Sequence, residues 1–91
     1  MLFILHCVVQ PGQAERLALF RDQHRAHAAA GLVKIVSAGP TLSDDGERLI
    51  GGLYVFEAES REEVEAFYNR DPYVLNGIWK KSLLERWDKR V

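Results

Sequence analysis

His24 and Asp71 are the side chains of this sequence best suited to moving a proton, and each also has an ordinary structural explanation. Setting residues about 100° apart around a helix puts Leu17, Phe20, Ala28 and Gly31 on one stripe. His24 falls in the middle of that stripe, Arg21 falls at its edge, and Arg16, Leu19, Asp22, Gln23 and Ala26 fall mostly on the other side. An imidazole turned toward a core must have its nitrogens hydrogen-bonded. One way is a backbone carbonyl, which makes His24 a structural core residue. The other is a carboxylate, which favours the charged imidazole and makes His24 a site residue. Asp71 stands directly before Pro72, an arrangement that starts a helix with aspartate at the N-cap and proline at N1, closed by Gly77 after Tyr73, Val74 and Leu75. A capping carboxylate is held rigidly and still has an oxygen to present to a cleft, so the two roles are compatible.

The other reactive residue types read more blandly. His24-x-x-His27 has the spacing that puts two imidazoles on one helix face, but no third ligand follows at a recognised spacing, so no metal site is expected. His6 shares a strand side with Leu2, Ile4 and Val8 and reads as a partly buried strand histidine. Cys7 is the only cysteine, so no intrachain disulfide forms; in an apolar run it behaves as a small buried hydrophobe. Gly51-Gly52 inside a strand pattern implies that a ligand or another backbone comes close there.

These residues need a frame, and the hydrophobic pattern supplies one. LFILHCVV, bounded by Pro11-Gly12, reads as a strand, and Gln13 to about Ala30 as a helix stopped by Gly31. LVKIVSAG is a second strand ended by Gly39-Pro40, SDDGE a turn, and RLIGGLYVFEA a third strand. Ser60-Arg61-Glu62-Glu63 matches a capping box and opens a helix with Val64, Phe67 and Tyr68 inward. GIWKKSLLERW closes the chain as a fourth strand. The order β-α-β-β-α-β predicts a single α+β domain over residues 1–91, with both helices on one face of a four-stranded antiparallel, ferredoxin-like sheet. Strand three carries Leu49, Leu53 and Val55 on one side and Ile50, Tyr54 and Phe56 on the other, so both sheet faces need cover. A second copy of the chain is the economical cover for the outer face, giving a homodimer through the sheets.

Net charge is −1 over 91 residues, with basic residues scattered, which gives no electrostatic footprint for nucleic acid. Tyr54 and Phe56 are candidates for RNA stacking on an open sheet, but the sequence pattern of such modules is absent. MLFILHCVV is too short to span a bilayer and lacks a basic leader or cleavage site, so a soluble, cytoplasmic protein is expected, without membrane contact.

Taken in order, Arg21-x-x-His24, Ala38-Gly39-Pro40, Gly46, Gly51-Gly52, Asp71-Pro72-Tyr73 with Gly77, and Trp87 resemble the YciI-like (YCII-related) proteins over essentially the whole chain. The resemblance implies a dimeric ferredoxin-like domain of the α/β-barrel type and a site built around a histidine and an aspartate. Those roles fall on His24 and Asp71, with Arg21, Gly39, Pro40, Gly52 and Tyr73 as candidates for holding a substrate. It also implies small lyase- or hydrolase-type enzymes acting on small, often ring-containing compounds. Three departures stand out. The family commonly has Arg-Pro-x-His-Leu where this chain reads Arg21-Asp22-Gln23-His24-Arg25, and Gly-Ser where it has Gly51-Gly52. It also often has a polar or acidic residue near the end of strand one, here Val8, Val9 and Gln10. The His–Asp pair is retained, whereas substrate identity does not transfer.

The function expected on these grounds is cofactor-independent acid–base catalysis on a small molecule. His24 would move the proton, Asp71 would orient or stabilise the imidazole, and Arg21 would hold an anionic oxygen. The alternative is a non-catalytic dimeric module that binds a small ligand or serves as an accessory subunit.

Overall fold

The computed structural model describes residues Met1–Val91. Four strands, β1 (Leu2–Val9), β2 (Lys34–Leu42), β3 (Leu49–Glu57) and β4 (Trp79–Trp87), form one antiparallel sheet in the order β2-β3-β1-β4. Helix α1 (Leu17–Ala29) joins β1 to β2, and α2 (Arg61–Arg70) with the short α3 (Pro72–Leu75) joins β3 to β4. This is the α+β, ferredoxin-like arrangement expected from the element order.

Alternation along the strands builds the core on one side. Phe3, Leu5 and Cys7 of β1, Tyr54 and Phe56 of β3, and Trp79 and Leu84 of β4 are buried. They meet Leu17 of α1, Val64 and Phe67 of α2, and Tyr73 of α3. Phe56 and Phe67 pack edge to face with centroids 4.9 Å apart, and Tyr54 lies flat against Phe56 at 5.2 Å. Burying such rings contributes about 1.5–3 kcal/mol each. Tyr54 and Phe56 therefore face the helices, which removes them as a platform for stacking bases.

Local differences from the expected pattern have physical reasons. The first helix does not start at Gln13, because residues Ala14–Arg16 form a tighter 3-10 turn with no side-chain cap, and α1 proper begins at Leu17. Its end is as expected: Gly31 takes φ +77°, the left-handed conformation that suits glycine. Gly39-Pro40 does not end the second strand. β2 runs on to Leu42, and as an edge strand it tolerates a proline that cannot donate to a ladder. A register shift at Thr41/Leu42 leaves Ile50 without a partner in β2. Leu49 therefore packs against the core while Ile50 is exposed, the reverse of simple alternation. Ser60 is the N-cap of α2 but makes no side-chain cap bond; Glu63 instead accepts from the Glu59 N–H at 3.3 Å.

Candidate active site

Asp71 sits at the junction of two helices. It follows the last residue of α2 and is the N-cap of α3, where its Oδ1 accepts the Tyr73 N–H at 2.9 Å. That cap aims the carboxyl group inward. The same Oδ1 lies 2.8 Å from His24 Nδ1, and Oδ2 accepts the Trp79 indole N–H at 3.2 Å. Asp71 is 2% exposed, so this is a buried carboxylate satisfied by three donors, the only arrangement in which burial is tolerable.

The network fixes the imidazole. A carboxylate only accepts, so His24 Nδ1 carries the hydrogen and Nε2 is left as the acceptor. Tyr54 OH lies 3.3 Å from Nε2 and donates to it. Burial, with Asp71 adding to it, pushes the Tyr54 phenol up, which keeps that hydroxyl protonated. The imidazole is stacked on Tyr73, centroids 4.1 Å apart at 13°, and meets Trp79 edge-on at 5.1 Å. One ring orientation survives these contacts.

Above His24 a cavity of about 530 Å³ opens between α1 and the β2–β3 edge of the sheet. Arg21, His24, Arg25, Ala28 and Ala29 of α1 form one wall, and Ala38, Gly39 and Pro40 of β2 face them. Leu49, Gly52, Tyr54, Tyr73 and Trp79 complete the lining. The structure thus brings His24, Arg21, Gly39, Pro40, Gly52 and Tyr73 to one cavity, with Asp71 directly beneath His24. Of the two partners open to His24, it takes the carboxylate. Burial also raises the Tyr73 phenol, against the lowering pull of Arg21 and Arg25.

The two glycines of β3 have separate causes. A Cβ on Gly51 would collide with the Cys7 carbonyl of β1, the backbone approach expected there. A Cβ on Gly52 would stand 2.7 Å from Cη2 of Trp79, so this glycine leaves room for the indole rather than for a ligand alone. Trp79, Tyr54 and Arg25 also line the cavity, and the sequence did not place them there. The one signal for Trp79 was the unexplained Gly52, and for Arg25 its position one turn after Arg21.

The remaining candidates lie elsewhere. His27 donates Nε2–H to the Phe67 carbonyl at 2.8 Å, tying α1 to α2. His6 is on the opposite sheet face, where its Nδ1 bonds Ser82 Oγ at 2.6 Å. Cys7 is buried beneath the site, and desolvation pushes its thiol up to about 12, so it is no nucleophile at neutral pH.

A buried carboxylate orienting an imidazole at the floor of an open cavity, on a ferredoxin-like sheet, defines a small α+β protein equipped for proton transfer or for binding a small molecule. Residues 1–88 match the YCII-related domain, and the chain belongs to that family. Among solved structures it is similar to 5-chloro-2-hydroxyhydroquinone dehydrochlorinase (TftG) from Burkholderia phenoliruptrix AC1100, in complex with 2,5-dihydroxybenzoquinone. That similarity has 30% identity and a TM-score of 0.85, covering 97% of this chain and 94% of the other. No curated protein matches the chain. No helix is long and apolar enough to cross a membrane.

Proposed function

We propose that this chain is a cofactor-independent acid–base enzyme, of lyase, isomerase or hydrolase type, acting on a small ring-containing molecule. The observation that carries the reading is His24 itself: Nδ1 is committed to Asp71 at 2.8 Å while the ring lines an open cavity. In that tautomer Nε2 is the base, its lone pair passing from the Tyr54 hydroxyl to the substrate's proton as the substrate enters. It takes a proton from an acidic hydroxyl or ring carbon of the substrate, and the electrons left behind expel a leaving group or move a double bond. The imidazolium so formed is stabilised by Asp71 and by the face of Tyr73, and it returns the proton at the end of the cycle. TftG acts on a chlorinated hydroxyhydroquinone by its name, which makes that compound the first one to try.

The reading includes a homodimer. Val8, Leu53, Leu83 and Trp87 are exposed on the sheet face away from the helices, beside the half-buried Leu2, Ile4 and Val55. Burying this face against its copy removes a contiguous apolar surface from water.

The test is turnover of 5-chloro-2-hydroxyhydroquinone and its unchlorinated analogues, with parallel sedimentation. His24→Ala and Asp71→Asn are expected to lose about 10²–10⁴-fold in rate, and the native species to weigh twice 10.4 kDa. Unchanged turnover in His24→Ala rules out the mechanism. Binding without turnover by the native chain favours the ligand-binding module.

A further inference from the structure

Arg21 and Arg25 leave α1 one turn apart, and both line the cavity, on either side of His24 in the sequence. Cations at this spacing repel each other. Neither has a carboxylate to answer it: the chain's ion pairs join the N-terminus to Glu57, His24 to Asp71 and Arg90 to Asp88. No acidic residue lines the cavity. Asp71, just beneath, is sealed by its three donors and offers nothing to a guanidinium. Both cations act on the Tyr73 phenol, so they share the electrostatics of one space. The facing wall of Ala38, Gly39 and Pro40 is uncharged and low, with no atom within 4 Å of where a Gly39 side chain would start.

We infer that the cavity recognises a planar ring carrying two anionic oxygens, one for each guanidinium, with Arg25 an equal partner of Arg21 in binding. A guanidinium meets an enolate or carboxylate oxygen through charge-assisted hydrogen bonds. A neutral ring of the same size leaves both cations in mutual repulsion. The low wall opposite leaves open space for the ring beside Gly39. This inference rests on the proposed acid–base site for its location and adds the charge and valency of the ligand.

Calorimetric titration of the full chain at neutral pH separates the possibilities. The probes are 2,5-dihydroxybenzoquinone, a vinylogous diacid that is anionic there, and hydroquinone, a neutral ring of similar size. The anion is expected to bind at least about tenfold more tightly, with an advantage that shrinks as salt is added. Arg21→Gln and Arg25→Gln should each weaken the anion roughly five- to twentyfold and leave hydroquinone unchanged. Arg25→Lys should recover part of the loss. Lys89→Gln, which removes the same charge from the tail beyond β4, should change nothing. Equal affinity for the two rings, no binding of the anion, or an Arg25→Gln variant that behaves like Lys89→Gln overturns the inference. The outcomes separate it from the catalytic proposal. Arginine-dependent binding without turnover keeps the anion clamp and removes the acid–base role. Turnover that is indifferent to Arg25→Gln does the reverse.

Discussion

His24 and His27 leave the same helix three residues apart, and both rings are part-buried against aromatic neighbours. His27 gives its Nε2–H to the Phe67 carbonyl, and His24 gives its Nδ1–H to a carboxylate. A carbonyl accepts a hydrogen bond and holds two helices together. A carboxylate also sets a negative charge against the ring, which a carbonyl does not. His24 further lines a cavity of about 530 Å³, whereas His27 does not. Residue type and burial are shared by the pair; what distinguishes them is the charge of the partner and access to a ligand.

The contrast is sharpest in paired substitutions. His24→Ala is expected to cost at least about a hundredfold in turnover of the chlorinated probe. His27→Ala should leave turnover within a few-fold. In thermal unfolding His27→Ala should lose about 1–3 kcal/mol, a Tm drop of roughly 5–20 °C, because the Phe67 carbonyl loses its partner in a buried setting. Turnover that falls equally in both variants would erase the distinction.

A second pair tests whether the cavity wall is as rigid as the His24 seat requires. Gly52→Ala should force Trp79 off Asp71 and cost about 1–3 kcal/mol, since the new Cβ would lie 2.7 Å from a pinned ring. Gly39→Ala meets nothing within 4 Å and should stay within about 0.5 kcal/mol, acting on ligand affinity alone. Equal stability of the two variants would mean that Trp79 is free to move.

An effect absent at neutral pH comes from Cys7 beneath the site. Burial, then the Asp71 charge, raises its thiol to about 12 from 9.0, with Lys81 working the other way. The unfolded chain therefore holds fewer protons above about pH 9, and stability is full below that point and lost as pH climbs toward 12. The loss is about 1 kcal/mol by roughly pH 9.5, with a limiting slope of about 1.4 kcal/mol per pH unit. Tyr54, also raised, adds to it from pH 10.0 upward. Urea midpoints across this range, in the native chain and Cys7→Ala, should show a shallower slope in the variant. Identical slopes would argue against a buried thiol.

Much of the frame could be read from sequence because it rests on short-range rules: alternation in β1, the stripe on α1, Asp71-Pro72 at a helix start. The stripe also turned His24 toward the sheet, and the cap fixed the backbone at Asp71. Pairwise geometry between distant segments could not be read. Nothing local in residues 24 and 71 states that they meet at 2.8 Å, nor that Trp79 shares the same carboxylate across eight residues. Irregularities in the ladder hid as well: the shift at Thr41/Leu42 exchanged Leu49 and Ile50, and an edge position let β2 run through Pro40. Such features depend on which strand lies next door, and that information is spread over the whole chain.

The two tryptophans bracket β4, Trp79 as its first residue and Trp87 as its last, on opposite faces of the sheet. Trp79 is 4% exposed in the cavity wall; Trp87 is 38% exposed on the bare face beside Leu2. Their emission is therefore sorted by colour before any label is attached: a blue-shifted indole that senses cavity occupancy, and a redder one that senses contact at the outer face. With each replaced in turn by phenylalanine, a single fluorometer can follow ligand uptake and self-association as two separate signals from one chain.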